Sequence, residues 1–336
     1  MSSGSSNVVE WFTRLEPARE PDQLLYRTDD PRVGEIVDYW RGDPEALRPG
    51  RAILVGFPQD EGVRRNQGRP GAARAPTQIR HWLYRLTATD SAANVDLGRM
   101  GVVDAGNVRI AHSLEDTQAV LGQVVAAILE RGAVPVVLGG GHETAYGHYL
   151  GYVGTGQRVG IINIDAHLDL RPFNLGQGDS GSPFRQAVEH PTHPLPGSRY
   201  VCLGAQPHSV SLQHYQYARE RGCVVRWKNV VHGSLLEHFQ EQRDRLQAEG
   251  CRIYVTIDAD AVRMADVPAV SAPNSAGLDG AEVIACARLA GSSPQVSSLD
   301  LVEINPRYDQ DGQSARWAAL VVWNFLVGLA SRNAPA

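Results

Sequence analysis

Three short clusters of ionisable residues carry the chemistry this sequence can do. Gly139-Gly140-Gly141-His142-Glu143 follows the apolar run Val134–Leu138, Asp165-Ala166-His167-Leu168-Asp169 follows Val159–Ile164, and Asp258-Ala259-Asp260 follows Arg252–Ile257. Alternate residues of an extended chain point the same way, so Asp165, His167 and Asp169 form one convergent set, and Asp258 with Asp260 another. Singly these are weak signals: an Asp at a strand end is commonly a helix N-cap, and a His after glycines is commonly structural. Jointly they are strong, because crowded carboxylates are costly unless a cation neutralises them. Four Asp and two His therefore predict a metal site. Carboxylate and imidazole donors without thiolate disfavour structural zinc and iron–sulfur clusters and suit Mn²⁺; Fe²⁺, Co²⁺, Ni²⁺ and Zn²⁺ accept the same donors. Six ligand residues are too many for one small ion. Two ions about 3.5–4 Å apart would use them all, and four carboxylates with one hydroxide nearly balance their charge.

Two competing motifs fail. His142-Glu143 begins like H-E-x-x-H, but the next histidine is His148, six positions on, far around a helix from the first. The glycines after a strand hint at a dinucleotide site, yet Thr144 stands where the third Gly or Ala belongs, and that reading leaves Asp258 and Asp260 without a role.

Positioning the clusters requires a scaffold with several strand ends on one edge. Apolar runs at Ala52–Phe57, Met100–Asp104, Val134–Leu138, Val159–Ile164, Tyr200–Leu203, Cys223–Trp227, Arg252–Ile257 and Ser297–Val302 alternate with helical patterns at Thr117–Arg131, Thr144–Tyr152, Gln213–Arg221, Leu235–Ala248, Ala281–Leu289 and Gln313–Leu329. Strands apolar on both sides of the pleat suit a parallel sheet covered on both faces. The prediction is a single α/β domain over 50–336, a three-layer, doubly wound, mainly parallel sheet of about eight strands. Residues 1–49 read as an irregular extension with a short helix near Arg32–Trp40. Gly62–Pro76 and Arg171–Pro183 read as long loops, which in such folds build the site.

Composition agrees. With 336 residues, 43% hydrophobic and 21% charged, the chain is globular rather than disordered. A net charge of -5 argues against a nucleic-acid partner. Cys202, Cys223, Cys251 and Cys286 form no C-x-x-C pair and read as reduced thiols of a cytoplasmic protein. No secretory leader is evident. The longest apolar stretch, Trp317–Ala330, is interrupted by Asn324 and is short of the roughly 20 residues a membrane span needs; it reads as a buried helix.

The combination Gly-Gly-Gly-His-Glu, Asp-Ala-His-x-Asp and Asp-x-Asp, in this order and spacing, resembles the ureohydrolases: arginase, agmatinase and formimidoylglutamase. The likeness covers about residues 50–330. It implies a binuclear manganese centre with one metal on His142, Asp165, Asp169 and Asp258 and the other on Asp165, His167, Asp258 and Asp260, so that Asp165 and Asp258 bridge. It also implies that Glu303, in Leu301-Val302-Glu303-Ile304-Asn305-Pro306, binds a cationic amidine or guanidine. Within the family the likeness is greatest to the formimidoylglutamases, carried by 60–72, Gly139–Tyr149 and Ser180–Gln186. Arginase-like members have a histidine near the position of Phe184. The segment after Asp260 departs from the commoner pattern: Ala269 follows Pro268 where Gly is usual.

The resemblance implies a hydrolase cleaving N-formimidoyl-L-glutamate to glutamate and formamide. Metal-activated water attacks the amidine carbon, Glu303 orients the amidinium, and Asp169 passes a proton to the leaving amine. Two substrate carboxylates call for cationic or amide donors, and Arg64, Arg65, Asn66, Arg69 and Arg185 lie on the predicted loops, Arg185 the first choice. Family likeness also suggests a homo-oligomer. The alternatives are a guanidino hydrolase releasing urea and a non-catalytic metal-binding or regulatory relative.

Overall fold

The computed structural model describes residues 13–20 and 29–332. Its strands are β1 (Leu15–Glu16), β2 (Val37–Tyr39), β3 (Ala52–Gly56), β4 (Thr89–Asp90), β5 (Val95–Asp96), β6 (Val102–Val108), β7 (Val134–Leu138), β8 (Val159–Ile164), β9 (Tyr200–Ala205), β10 (Val224–Trp227), β11 (Arg252–Asp258) and β12 (Val296–Val302). Its helices are α1 (Val33–Ile36), α2 (Glu61–Arg65), α3 (Ala75–Leu83), α4 (Leu97–Met100), α5 (Leu114–Glu130), α6 (Thr144–Thr155), α7 (Pro183–Val188), α8 (Leu212–Arg221), α9 (Lys228–Val231), α10 (Leu235–Ala248), α11 (Gly280–Ser292) and α12 (Gln313–Ser331).

Eight parallel strands run in the order β6-β3-β7-β12-β11-β8-β9-β10, as the apolar runs predict. The free side of β6 pairs with β2 in parallel and with β1 antiparallel, Leu15 opposite Val108. The described parts of the N-terminal segment thus extend the same sheet, and Leu15, Trp40 and Leu47 are buried in its core. The expected helix near Arg32–Trp40 is only the single turn α1, followed at once by β2.

Alternate strand residues enter two separate cores. Leu54, Val136, Ile162 and Val255 face the side covered by α3, α10, α11 and α12. Ile53, Val55, Val137, Ile161 and Tyr254 face the side covered by α5, α6 and α7. This is why the strand sequences are apolar without alternation. Among the described residues α12 is the one helix long and apolar enough to cross a membrane. Its Trp317, Val321, Val322, Phe325 and Leu326 are buried in the first core, so it is the core helix that the interrupted apolar run predicts.

Three differences from the predicted elements have physical causes. The second strand lies at Val102–Val108, not Met100–Asp104, because Asp104 and Asn107 are inside the sheet layer and paired with Arg80. The stretch read as the loop Gly62–Pro76 holds most of α2 and the first turn of α3, which starts with Pro76 in its first turn. The loop Arg171–Pro183 runs directly into α7, again with a proline in the first turn.

Candidate metal centre

The four strands β7, β12, β11 and β8 are neighbours in the middle of the sheet, and the chain reaches His142, Glu303, Asp258 and Asp165 respectively at or within four residues of their ends. After β7 the chain turns through three glycines whose N–H groups bond the carbonyls of Leu301, Phe57 and Gln59. A Cβ on Gly140 would collide with the Gln59 carbonyl, so this close passage requires glycine. It delivers His142 to the ends of β8 and β11.

His142 Nδ1 lies 3.4 Å from Asp165 Oδ2, 2.8 Å from Asp169 Oδ2 and 3.0 Å from Asp258 Oδ2. Its Nε2 faces Thr256 Oγ1 at 3.1 Å, and its ring meets Phe184 edge to face at 5.2 Å. A second group adjoins: His167 Nδ1 is 3.5 Å from Asp165 Oδ1 and 3.2 Å from Asp260 Oδ2. All six predicted ligands therefore meet, in two sets, His142–Asp165–Asp169–Asp258 and Asp165–His167–Asp260, with the ligand atoms of each set within 4.8 Å of one another. Asp165 belongs to both through its two oxygens. Asp258, expected to bridge, belongs only to the first set in this geometry.

The backbone holds these carboxylates in place. Asp165 Oδ1 accepts from the N–H of His167 at 2.7 Å and Asp258 Oδ1 from that of Asp260 at 2.8 Å, so each Asp-x-His or Asp-x-Asp is closed by the same two-residue turn. Asn163 Nδ2 donates to Asp165 Oδ2 at 2.9 Å. Asp169 and Glu303 have φ of 48° and 66°, a left-handed conformation costing about 1–3 kcal/mol for a non-glycine residue and typical of functional sites.

The electrostatics demand a cation. Burial opposes the His142 imidazolium, but the three carboxylates around it hold its pKa well above 6.5. His167 is likewise raised, by Asp260 first and against burial. Burial would raise Asp165, yet the two imidazoles hold it below its ordinary value. Burial and the neighbouring carboxylates raise Asp169 and, much further, Asp258. Burial pushes Asp260 up to about 6, and burial with Asp258 and Glu143 raises Glu303 well above 4.5. Protons on imidazoles and carboxyls here carry the positive charge that metal ions would supply. Three buried atoms, His142 Nδ1, Asp260 Oδ1 and Glu303 Oε2, have no hydrogen-bond partner. Such orphans in a carboxylate–imidazole cage fit divalent cations.

Glu303 sits beyond β12 at the rim of this cage, 4% exposed. Its Oε1 accepts from the His142 N–H at 2.8 Å, leaving Oε2 for a ligand. The predicted carboxylate-binding residues divide. Asn66 donates to Ser180 Oγ at 3.1 Å, on the loop between Asp169 and α7. Arg65 is a structural clamp instead, bonding Glu115 at 2.5 Å and the Gly178 carbonyl at 3.0 Å. Arg64 is exposed and pairs with Glu61 on its own helix. Arg69 is engaged by the carbonyls of Ser271 and Val270 and lies over Tyr308. Arg185 is held beside Glu189 at 3.3 Å and over the Tyr217 ring at 4.1 Å.

The sequence reading missed Arg171. A Cβ on Gly181 would meet Arg171 Cδ at 2.5 Å and Asn66 Nδ2 at 3.1 Å, so these two side chains flank Gly181, on the loop that follows the ligand Asp169. Also missed was Glu143, fully buried, whose Oε1 accepts from the Gly62 N–H at 2.8 Å and whose carboxyl burial pushes up to about 8. It ties the Gly62 loop to the His142 turn.

Comparison with known proteins agrees with this geometry. A model described as the Arginase family matches residues 50–328. The chain is 37% identical over 283 residues to a formimidoylglutamase of Clostridium tetani, covering 81% of each chain. It is 38% identical over 301 residues to one of Chromobacterium violaceum, covering 88% of this chain and 94% of the relative. The crystal structure of Trypanosoma cruzi formiminoglutamase with Mn²⁺ superposes with a TM-score of 0.82 at 32% identity, over 90% of this chain and 100% of that one. Bacillus subtilis formimidoylglutamase shares the fold, with a TM-score of 0.85 at 22% identity over 93% of this chain and 96% of the other.

Proposed function

The chain belongs to the arginase family, and from that premise we propose that it is a formimidoylglutamase, a binuclear-manganese hydrolase of N-formimidoyl-L-glutamate. The observation that carries the proposal is the pair of ligand sets sharing Asp165 at the ends of four adjacent strands. The formimidoylglutamase relatives support the substrate, and the Mn²⁺ of the Trypanosoma cruzi structure supports the metal. His142, Asp165, Asp169 and Asp258 would hold one ion, and Asp165, His167 and Asp260 the other. When bound, such a pair brings the pKa of coordinated water near neutrality.

The reaction adds water across the amidine carbon and breaks its bond to the glutamate nitrogen, giving formamide and glutamate. Glu303 binds the amidinium through Oε2: a carboxylate that burial makes costly on its own is stabilised when a cation arrives. That contact orients the carbon toward the cage. Asp169, whose pKa burial and Asp165 raise, can accept a proton and hand it to the departing nitrogen. For the substrate carboxylates we assign Arg171 and Asn66, which flank Gly181 on the loop after Asp169, with Arg185 a further donor if it leaves Glu189; guanidinium binds carboxylate in two parallel hydrogen bonds. The free cysteines support a cytoplasmic setting, and the family likeness supports a homo-oligomer.

The test is a substrate panel on Mn²⁺-loaded protein. Formimidoylglutamate, arginine, agmatine and guanidino acids are offered, and formamide, ammonia and urea are measured. Formamide with glutamate is the expected product pair; urea from a guanidine, with formimidoylglutamate untouched, overturns the assignment.

A further inference from the structure

Asp169 leads into a loop whose neck is closed beside it. The Phe184 N–H donates to the Asp169 carbonyl at 3.2 Å, and the Arg171 N–H to the Gly181 carbonyl at 2.9 Å. Residues 171–177 are all exposed, and at the tip Asn174 and Gln177 exchange both backbone hydrogen bonds, at 3.1 and 2.9 Å. The chain is buried again from Gly178 onward. The outgoing limb, which carries Arg171, thus has no apolar anchor of its own. A segment with few buried contacts opens at low free energy, so its place depends on what fastens the returning limb.

Two side chains at the end of α2 do so. Arg65 Nη1 donates to the Gly178 carbonyl at 3.0 Å and to Glu115 Oε1 at 2.5 Å, and its Nη2 donates to Glu115 Oε2 at 3.3 Å. Asn66 donates to Ser180 two residues further on. The guanidinium forks across the Glu115 carboxylate, and Glu115 stands in the first turn of α5, whose Leu121, Val124 and Ile128 are buried in the second core. The loop is therefore fastened to the body of the protein through Arg65. A lysine there would be a point charge without the planar fork that spans carboxylate and carbonyl together.

We infer that Arg65, braced by Glu115, is a positioning residue for substrate selectivity: by holding the Gly178 carbonyl it sets the place of Arg171, and with it the preference for an amidine that carries carboxylates. The inference rests on the formimidoylglutamate reading and on Arg171 as a donor to a substrate carboxylate. Arg65 acts through the loop, its nitrogens being taken by Glu115 and Gly178. None of the clamp's hydrogen bonds reaches a metal ligand, so Mn²⁺ binding stays parental when it is broken. What is lost is the aim of a charged hydrogen bond at the far end of the substrate, an interaction worth about 10–100-fold.

The experiment compares the Mn²⁺-loaded full chain with Arg65→Gln, Glu115→Gln, Arg171→Ala and the double variant Arg65→Gln/Arg171→Ala. Hydrogen exchange is followed over 171–182, KM and kcat are measured with formimidoylglutamate, and Mn²⁺ binding is measured by calorimetry, with circular dichroism as the control for folding. In Arg65→Gln the expected result is faster exchange confined to 171–182, a KM about 10–100-fold higher with kcat much less changed, and parental Mn²⁺ affinity. Glu115→Gln moves the same quantities in the same direction by less. The double variant is no worse than Arg171→Ala, because a clamp has nothing to aim once the guanidinium of Arg171 is gone. Parental exchange and KM in a folded Arg65→Gln overturn the inference, as do losses that multiply in the double variant, or a fall in kcat and Mn²⁺ affinity with faster exchange throughout the sheet. Should Arg65→Gln not fold, Glu115→Gln, a change at a half-exposed carboxylate, decides alone. A parent chain that leaves formimidoylglutamate untouched overturns the substrate reading and this inference with it, whereas an active parent matched by its variants overturns the inference alone.

Discussion

At the scale of single residues, the cage trades stability for charge. Asp258 is 2% exposed, and burial together with Asp260 and Asp165 raises its pKa well above 3.8. A raised carboxyl pKa contributes stability that is present below about pH 3.8 and lost as pH rises toward the folded-state value. At pH 7.5 the metal-free protein therefore carries Asp258 at a cost, and Asp258→Asn removes it. The variant is expected to melt above the parent in chelator by about 1–2 kcal/mol, yet to lose most of the stabilisation that Mn²⁺ gives the parent, which at a hundredfold excess over Kd is about 2.7 kcal/mol. Paired melts with chelator and with Mn²⁺ check both signs. The same groups set the pH range of loading. Metal requires ionised carboxylates and neutral imidazoles, while Asp260 in the metal-free cage holds its proton up to about 6 and both histidines hold theirs above 6.5. Mn²⁺ affinity is expected to rise with pH through 6 and to continue rising past 6.5, with more than one proton released per ion. Equilibrium dialysis between pH 5 and 8.5 measures this, and an affinity flat from pH 5.5 upward would contradict it.

At the scale of elements, legibility followed polarity. β7 and β8 begin and end where their apolar runs do, since Val134–Leu138 and Val159–Ile164 contain nothing that disguises a buried strand. β6 was displaced because it carries Asp104 and Asn107 inside the protein, and α3 escaped notice because its partner to them, Arg80, is a buried charge on an otherwise short helix. Asp104 accepts two bonds from Arg80, at 2.6 and 2.9 Å, one from the Gly106 N–H at 2.8 Å and one from Tyr84. No periodicity announces a pair that exists only once β6 and α3 are packed. The candidate site shows the same division: six metal ligands lie in short runs at strand ends and were readable, whereas Arg171 and the clamp made by Arg65 and Glu115 depend on how two loops fold over those ends. Breaking a buried ion pair leaves an uncompensated charge and costs about 3–5 kcal/mol. Asp104→Ala is expected to lower stability by that amount in urea unfolding, with the metal cage, whose nearest strand β7 is separated from β6 by β3, still able to bind Mn²⁺ in the folded fraction.

At the scale of the whole molecule, the order of strands separates what holds the sheet together from what does the chemistry. The ligand-bearing strands β7, β11 and β8, with β12, occupy the middle, and the short strands β1 and β2 close the far edge by pairing with β6. The family model begins at residue 50, yet the segment before it supplies Leu15, Trp40 and Leu47 to the second core. Trp40 is 1% exposed and its indole N–H donates to the Asp43 carbonyl. An unpaired edge on β6 would present free backbone groups to other chains. Trp40→Ala is accordingly expected to cost about 3–5 kcal/mol without changing KM for the proposed substrate, and removal of residues 1–49 to expose the β6 edge and drive concentration-dependent aggregation. Urea unfolding, light scattering and steady-state kinetics on the two proteins provide the check. A truncated chain that stays monodisperse and as stable as the parent would mean that β3 and β6 can form the sheet edge unaided.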